Sequence, residues 1–437
     1  MDGQRQILHG RWVLPMVPDT GALPDHAVIV EGGRIRDVLP SLQVSQRYPD
    51  GTVEQLHAHV LMPGLVNCHT HAAMSLFRGL ADDLALQKWL EQRIWPAEQR
   101  HVSERFVADG ARLACAEMLR NGITCFNDMY YYPDATATVA AEVGLRCRVG
   151  LRVLPGQRAL HLEPEDSLEG GLRIHDRWRR HPLVGTTLAP HSPRSLSGAL
   201  MRTLGRLSRD YDLRLHMHVH ETGEEVADYM GLHGVSPLQR MHRQGLVGPR
   251  LIAVHAIHLE LADRRLLAEA GAHVVHCPRS NLKLGNGLAA VAELLRLGVN
   301  VALGTDGAAS NNNLDLFGEM RMAALLAKAV GNDPTALPAS AALRMATING
   351  ARALGLADDI GSLEAGKWAD IIAVDVGGIA AHPHFDIVSQ LVYATGANQV
   401  TDVWIAGRRL LEKRQFLTVD QQAVAAAVDN WQTRVPT

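Results

Sequence analysis

The chain has little lysine, few cysteines, few aromatic residues and almost no net charge. Only Lys88, Lys283, Lys328, Lys367 and Lys413 stand among its 43 basic residues, and the rest are arginine. Those 43 basic side chains face 46 acidic ones, for a formal charge of −3 over 437 residues. With no basic run, the chain lacks the electrostatic footprint of a general nucleic-acid binder. Its 5 cysteines are odd in number and form no Cys-x-x-Cys, so they suggest neither a disulfide framework nor a zinc ribbon. They read as the reduced thiols of a cytoplasmic enzyme, with Cys68 and Cys277 as small buried hydrophobes. No apolar run approaches the roughly 18 residues of a membrane helix, and Met1 to Arg5 lead into no apolar signal core. No Gly-x-Gly-x-x-Gly opens the first strand-helix unit, which argues against a dinucleotide-binding fold. What is present, 47% hydrophobic and 20% charged residues, is an ordinary globular composition.

Both ends of the chain read as β-structure. Ala27 to Ile35 is an apolar run, a Gly-Gly pair and a second apolar start, the pattern of a hairpin. Residues 370–374 and 402–408 are strand-like and bounded by glycine. Between the ends one pattern recurs eight times, an apolar β-rich run with a polar end followed by a helical stretch. The runs cover residues 59–71, 122–129, 145–154, 183–192, 213–221, 251–259, 273–281 and 299–307. Strands alternating with helices predict a parallel sheet, and eight units favour a closed barrel over an open sheet. The expected fold is therefore α/β: a (β/α)8 TIM-type barrel over 63–361, with a small β-sandwich domain built from residues 1–62 and 362–437.

In such a barrel the chemistry sits at the C-terminal ends of the strands. Here the run ends carry His69-Thr70-His71, Asn127-Asp128, Arg152, Pro190-His191-Ser192, His218-Val219-His220-Glu221, His255, Ser280-Asn281 and Thr305-Asp306-Gly307. His69 and His71, two apart on a strand, share a face and can reach one point; imidazole suits zinc and similar divalent metals. His216, His218 and His220 share a face in the same way, and the pattern does not choose among them. Asp306 can ligate a metal and take a proton. Three imidazoles and one carboxylate leave room for a water, as a catalytic metal site requires.

Pro63 to His71, the step from His218 to Glu221, and Thr305-Asp306-Gly307 resemble the amidohydrolase superfamily. Phe77 to Leu84, Pro190 to Pro193, Ser280 to Gly287 and Gly304 to Asn313 resemble, within it, the methylthioadenosine/S-adenosylhomocysteine deaminases, relatives of the triazine hydrolases. The resemblance spans nearly the whole chain. It implies that His69, His71, His218 and Asp306 hold one divalent metal, zinc or alternatively iron. It selects His218 because the family places a glutamate, here Glu221, three residues after its ligand; His216 and His220 are left as packed neighbours. Many binuclear relatives bridge two metals with a carboxylated lysine at the end of the fourth strand. Residues 183–192 contain no lysine, so a mononuclear site is expected.

The implied activity is hydrolytic deamination of an adenine nucleoside (methylthioadenosine, S-adenosylhomocysteine, adenosine or 5'-deoxyadenosine) to the inosine analogue and ammonia by a metal-bound hydroxide. Asp306 would accept the water proton, His255 would orient the water, and Glu221 would protonate the ring nitrogen. Glu98 matches the family's ribose-diol carboxylate, and a carboxylate offers acceptors for both hydroxyls. His191 and Arg152 are further substrate-contact candidates. Phe77, Leu80, Trp89 and Trp95 can wall a thioether pocket or form helix core. The competing readings are a deaminase of another base (guanine, 8-oxoguanine or cytosine) and a triazine hydrolase. The expected partner is a small nucleoside, with no nucleic acid and no membrane, and the expected assembly is a homo-oligomer.

Overall fold

The computed structural model describes residues 5–19, 21–153 and 168–435. Two eight-stranded sheets organise them. The first is wholly parallel and runs in sequence order: Leu65–Thr70, Ile123–Asp128, Arg146–Arg152, Val184–Ala189, Leu215–Val219, Leu251–His255, His273–His276 and Asn300–Leu303. Every residue of the first, second, fourth, fifth and sixth of these strands is buried. Burial on both faces is why they read as continuous apolar runs. The eighth strand's end is tied back to the first. Asn67 Nδ2 donates to Thr305 Oγ1 at 2.8 Å, Thr305 N to Asn67 Oδ1 at 3.0 Å, and Asp306 N to the His69 carbonyl at 3.0 Å. The expected (β/α)8 barrel is thus borne out, with helices such as Glu104–Arg120 and Gly198–Asp210 outside it, N-capped by Ser103 and Ser197.

The second sheet is mixed and draws on both chain ends. Ile371–Asp375 pairs antiparallel with Thr52–Pro63, which joins the C-terminal strands to the N-terminal ones. The expected hairpin is present: Leu23–Glu31 returns as Arg34–Pro40 through Gly32 and Gly33, both at positive φ (58° and 79°), which glycine adopts without a Cβ penalty.

Three runs differ from their sequence reading. Residues 59–71 are not one strand: Thr52–Pro63 belongs to the end-built sheet, and Leu65–Thr70 opens the barrel. The break falls at Gly64, where a Cβ would lie 2.0 Å from Thr124 Oγ1. The run 273–281 stops at His276. Pro278 then starts the short helix Pro278–Lys283, so Asn281 is delivered by a helix rather than a strand end. The run 145–154 is strand over Arg146–Arg152, and Leu154 lies outside the described residues.

Candidate active site

Two imidazoles converge on one carboxylate oxygen at the C-terminal mouth of the barrel. His69, fully buried in the first strand, and His71, just beyond it, place their Nε2 atoms 3.2 and 3.3 Å from Asp306 Oδ1. The other oxygen, Oδ2, is held by the hydroxyls of Ser280 (2.6 Å) and Ser310 (2.9 Å). Gly307 N donates to Oδ1 at 2.9 Å. Asp306 takes a left-handed conformation (φ 59°), as does His255 (φ 68°). Non-glycine residues hold such backbone only where surrounding contacts fix it.

His218, in the fifth strand, stacks on His255 of the sixth, ring centroids 5.4 Å apart, and lies 4.9 Å from His69. Two ligand groupings share His69: His69, His71 and Asp306, and His69, His218 and His255, with the donor atoms of each within 4.8 Å of one another. Three rings commit Nδ1 to an oxygen: His71 to the Met129 carbonyl, His218 to the His191 carbonyl (2.9 Å) and His255 to Asn281 Oδ1 (2.8 Å). Donation from Nδ1 leaves Nε2 with a free lone pair, the ligating form of histidine. His69 Nε2 is buried and has no hydrogen-bond partner among the described residues. Burial pushes the His69 imidazole down to about 4. Burial also opposes charge on His71, but Asp306 and the Met129 carbonyl overcome it and raise that ring to about 9. With no cation present His71 carries the positive charge beside Asp306; a divalent cation would take that place and displace the proton from its Nε2.

The remaining predicted residues surround this cluster. Glu221 Oε1 is 3.7 Å from His255 Nε2 and accepts a hydrogen bond from Asn286 Nδ2 at 3.0 Å; burial pushes its carboxyl upward. His191 follows the fourth strand, its ring 4.7 Å from that of His218. Glu98 is 6% exposed on the helix Trp95–His101. Tyr130 donates its hydroxyl to Glu98 at 2.9 Å, and the Tyr130 ring lies 6.4 Å from His71. Burial raises the Glu98 carboxyl as well. Arg152 caps the face of Tyr131 at 3.6 Å. Phe77 and Trp89 are core, at 1% and 5% exposure, whereas Trp95 is 39% exposed.

Several contacts escaped the sequence reading. His216, expected only to pack, meets His69 Nδ1 through its Nε2 at 2.8 Å. His220 does only pack, bonding the His258 carbonyl and Leu238 N. Ser280, Asn281 and Asn286 lie in the Ser280–Gly287 motif, and Ser310 in the Gly304–Asn313 motif. The motifs marked those positions without assigning them partners. Tyr130 carried no sequence signal.

Residues 60–410 match the amidohydrolase family model, and the chain belongs to that family. A 5-methylthioadenosine/S-adenosylhomocysteine deaminase from Teredinibacter turnerae is 42% identical over 428 residues, covering 98% of this chain and 97% of that protein. A 5'-deoxyadenosine deaminase from Methanosarcina mazei is 40% identical over 422 residues, covering 96% and 95%. The crystal structure of an adenosine deaminase from Xanthomonas campestris with bound zinc superposes with a TM-score of 0.96 at 45% identity over 98% of each chain. The expectation of a metal-dependent hydrolase acting on C–N bonds is borne out. Among the described residues no helix is long and apolar enough to cross a membrane.

Proposed function

We propose that the protein hydrolytically deaminates adenine nucleosides (methylthioadenosine, S-adenosylhomocysteine, adenosine or 5'-deoxyadenosine), consuming water and releasing the inosine analogue and ammonia. The reading rests above all on one juxtaposition, a buried carboxylate, Glu221, set 3.7 Å from His255 beside the ligand cluster. The names of the relatives support the adenine nucleoside class.

His69, His71, His218 and Asp306 would hold one divalent ion, zinc ahead of iron. The fourth barrel strand, Val184–Ala189, has no lysine to carbamylate into a bridge for a second. Such an ion supplies Lewis acidity that lowers the pKa of water toward neutrality. His255, fixed by Asn281, orients the attacking water toward the amino-bearing carbon of the ring. Asp306, its Oδ2 held by two serine hydroxyls, accepts the water proton on Oδ1. Glu221 keeps its proton to higher pH than an exposed glutamate, because it is buried, and delivers it to the adjacent ring nitrogen. As the C–N bond breaks, Glu221, now a carboxylate, takes the remaining hydroxyl proton of the attacked carbon and passes it to the departing amine, and the proton held by Asp306 restores Glu221. Glu98 accepts the ribose hydroxyls, and His191 and Arg152 contact the nucleoside.

All five cysteines are free and buried, in keeping with the cytoplasm as the working compartment. We take the assembly to be homo-oligomeric, and Ile379 and Phe385, 95% and 92% exposed, offer apolar surface for it. The functional reading is tested by assaying ammonia release from a panel of adenine nucleosides, free adenine, guanine, 8-oxoguanine and cytosine, and chloride release from a chlorotriazine. Turnover confined to the adenine nucleosides is expected. Faster turnover of any free base or of the triazine would overturn it.

A further inference from the structure

At the end of the barrel opposite the histidine cluster, a cavity of about 380 Å³ opens where the strands Arg146–Arg152, Val184–Ala189 and Leu215–Val219 begin. Arg146, Arg148, Arg179 and Arg214 line it, with Asp212 and Asp359 as the carboxylates. Most of these charges are already matched. Arg146 is bidentate on Asp370 (2.8 and 3.1 Å), Arg179 pairs with Asp176 at 3.2 Å, and Asp212 pairs with Arg250 at 2.8 Å. Arg148 has no hydrogen-bond or ion-pair partner among the described residues. Arg214 spends one nitrogen, Nη1, on the Pro249 carbonyl. Two guanidinium groups thus face a single free carboxylate, Asp359.

The backbone is shaped around these two side chains. A Cβ on Gly185 would lie 1.5 Å from Arg148 Nη1, and one on Gly355 would lie 2.8 Å from Arg214 Nη2. Glycine at both positions is what lets the guanidinium groups lie where they do. The neighbouring imidazole adds a donor: His181 Nδ1 accepts from Leu183 N (3.2 Å) and Val184 N (3.1 Å), which leaves its proton on Nε2. Burial, then Arg146 nearby, pulls the Arg148 guanidinium below its ordinary value. Burial, together with Arg250 and Arg148, does the same to Arg214. A cavity wall of donors with like charges crowded together is stabilised by an anion that bridges them.

We propose that this cavity binds a phosphate group, gripped by Arg148 and Arg214 and either free as inorganic phosphate or carried by a small phosphomonoester. Guanidinium forks match phosphate oxygens bidentately, and the volume admits more than the phosphate alone. The site is remote from the catalytic mouth, so its occupancy is separable from catalysis.

The test is calorimetric titration of the metal-loaded enzyme with inorganic phosphate and with glycerol phosphate at constant ionic strength set by chloride. Each is repeated on Arg148→Gln, Arg214→Gln and, to remove binding at the catalytic mouth, Asp306→Asn. Saturable binding is expected in the wild type and in Asp306→Asn, with affinity at least tenfold weaker in each arginine variant. Deamination by the arginine variants should stay within twofold of wild type. Tighter binding of the ester points to an organic phosphate, and tighter binding of the free ion to inorganic phosphate. Absence of saturable binding of both in the wild type would overturn the proposal. So would undiminished binding in the folded arginine variants, or binding that disappears with Asp306→Asn. If one arginine variant does not fold, the other and the wild-type titration decide.

Discussion

His69 Nδ1 and His216 Nε2 meet at 2.8 Å inside the barrel. For His69 to present an unprotonated Nε2 to a cation, its proton must sit on Nδ1 and be donated to His216. His216 then carries its own proton on Nδ1, which is buried without a partner among the described residues. The pair fixes the tautomer of a metal ligand, and loss of such an outer contact typically costs about 10–100-fold in metal affinity. His216→Leu should weaken zinc binding by that factor, measured by chelator competition, with activity recovered at high zinc. His216→Gln, which keeps an acceptor, should lie between. Wild-type zinc affinity in His216→Leu would show the contact to be packing alone.

Glu221→Gln preserves shape and the approach of Asn286 but removes the transferable proton. Turnover should fall by about 10²–10⁴-fold, the range of general acid-base catalysis, while metal content per chain is unchanged. A loss of metal in parallel with activity would move Glu221 from proton transfer into metal binding.

The hydrogen bond from Asn286 to Glu221 gives a pH prediction with a definite sign. Burial holds the Glu221 carboxyl above its ordinary value, while His255 and the Asn286 donor pull it back down. A group that acts as a proton donor loses activity as pH rises through its pKa. Asn286→Ala removes a downward influence, so the alkaline limb of the kcat/KM profile should move to higher pH. A shift to lower pH would contradict the role of Glu221 as the acid.

Much of this site was legible because parity and strand ends are written in the sequence. His69 and His71 sit two apart on a strand, and Asp306 follows an apolar run, so barrel geometry alone brings them to one mouth. The choice of His218 over His216 and His220 needed the family resemblance, since all three share a face. What could not be read were contacts between elements far apart in the chain. The Tyr130 hydroxyl on Glu98 and the serine hydroxyls on Asp306 depend on how helices and loops dock, which local periodicity does not encode. The break at Gly64 was legible in part, since the boundary between the end-built domain and the barrel was expected at residues 62/63. The run 59–71 nevertheless reads as one stretch, because the apolar end of Thr52–Pro63 leads straight into Leu65–Thr70.

Glu98 is buried beside the cluster and accepts a hydrogen bond from the Tyr130 hydroxyl. If it accepts the ribose hydroxyls, Glu98→Gln should raise KM for ribonucleosides about 10–150-fold, the equivalent of a charged hydrogen bond of about 1.5–3 kcal/mol. KM for a 2',3'-dideoxyadenosine analogue should change little. Equal increases for both substrates would place Glu98 in packing rather than recognition.

Stability should fall with acid because histidines are buried in the neutral form. Burial holds His273 at about 4 and His276 at about 3, against 6.5 in an unfolded chain. Between those values the unfolded state binds more protons than the folded state, so lowering the pH from 6.5 toward 4 drives unfolding. For the fully buried His276 this is worth about 3 kcal/mol over that window. Melting temperatures of the wild type should drop across it, and His276→Leu should flatten the drop. A wild-type Tm independent of pH between 6.5 and 4 would contradict the buried-neutral assignment.

The most direct test of the central claim is the deamination of methylthioadenosine by metal-stripped protein as zinc is added back. The adenine absorbance band should convert to that of hypoxanthine, with one ammonia per nucleoside, and activity should rise linearly and saturate at one zinc per chain. Saturation only at two equivalents, or full activity without added metal, would contradict a mononuclear metal-dependent adenine nucleoside deaminase.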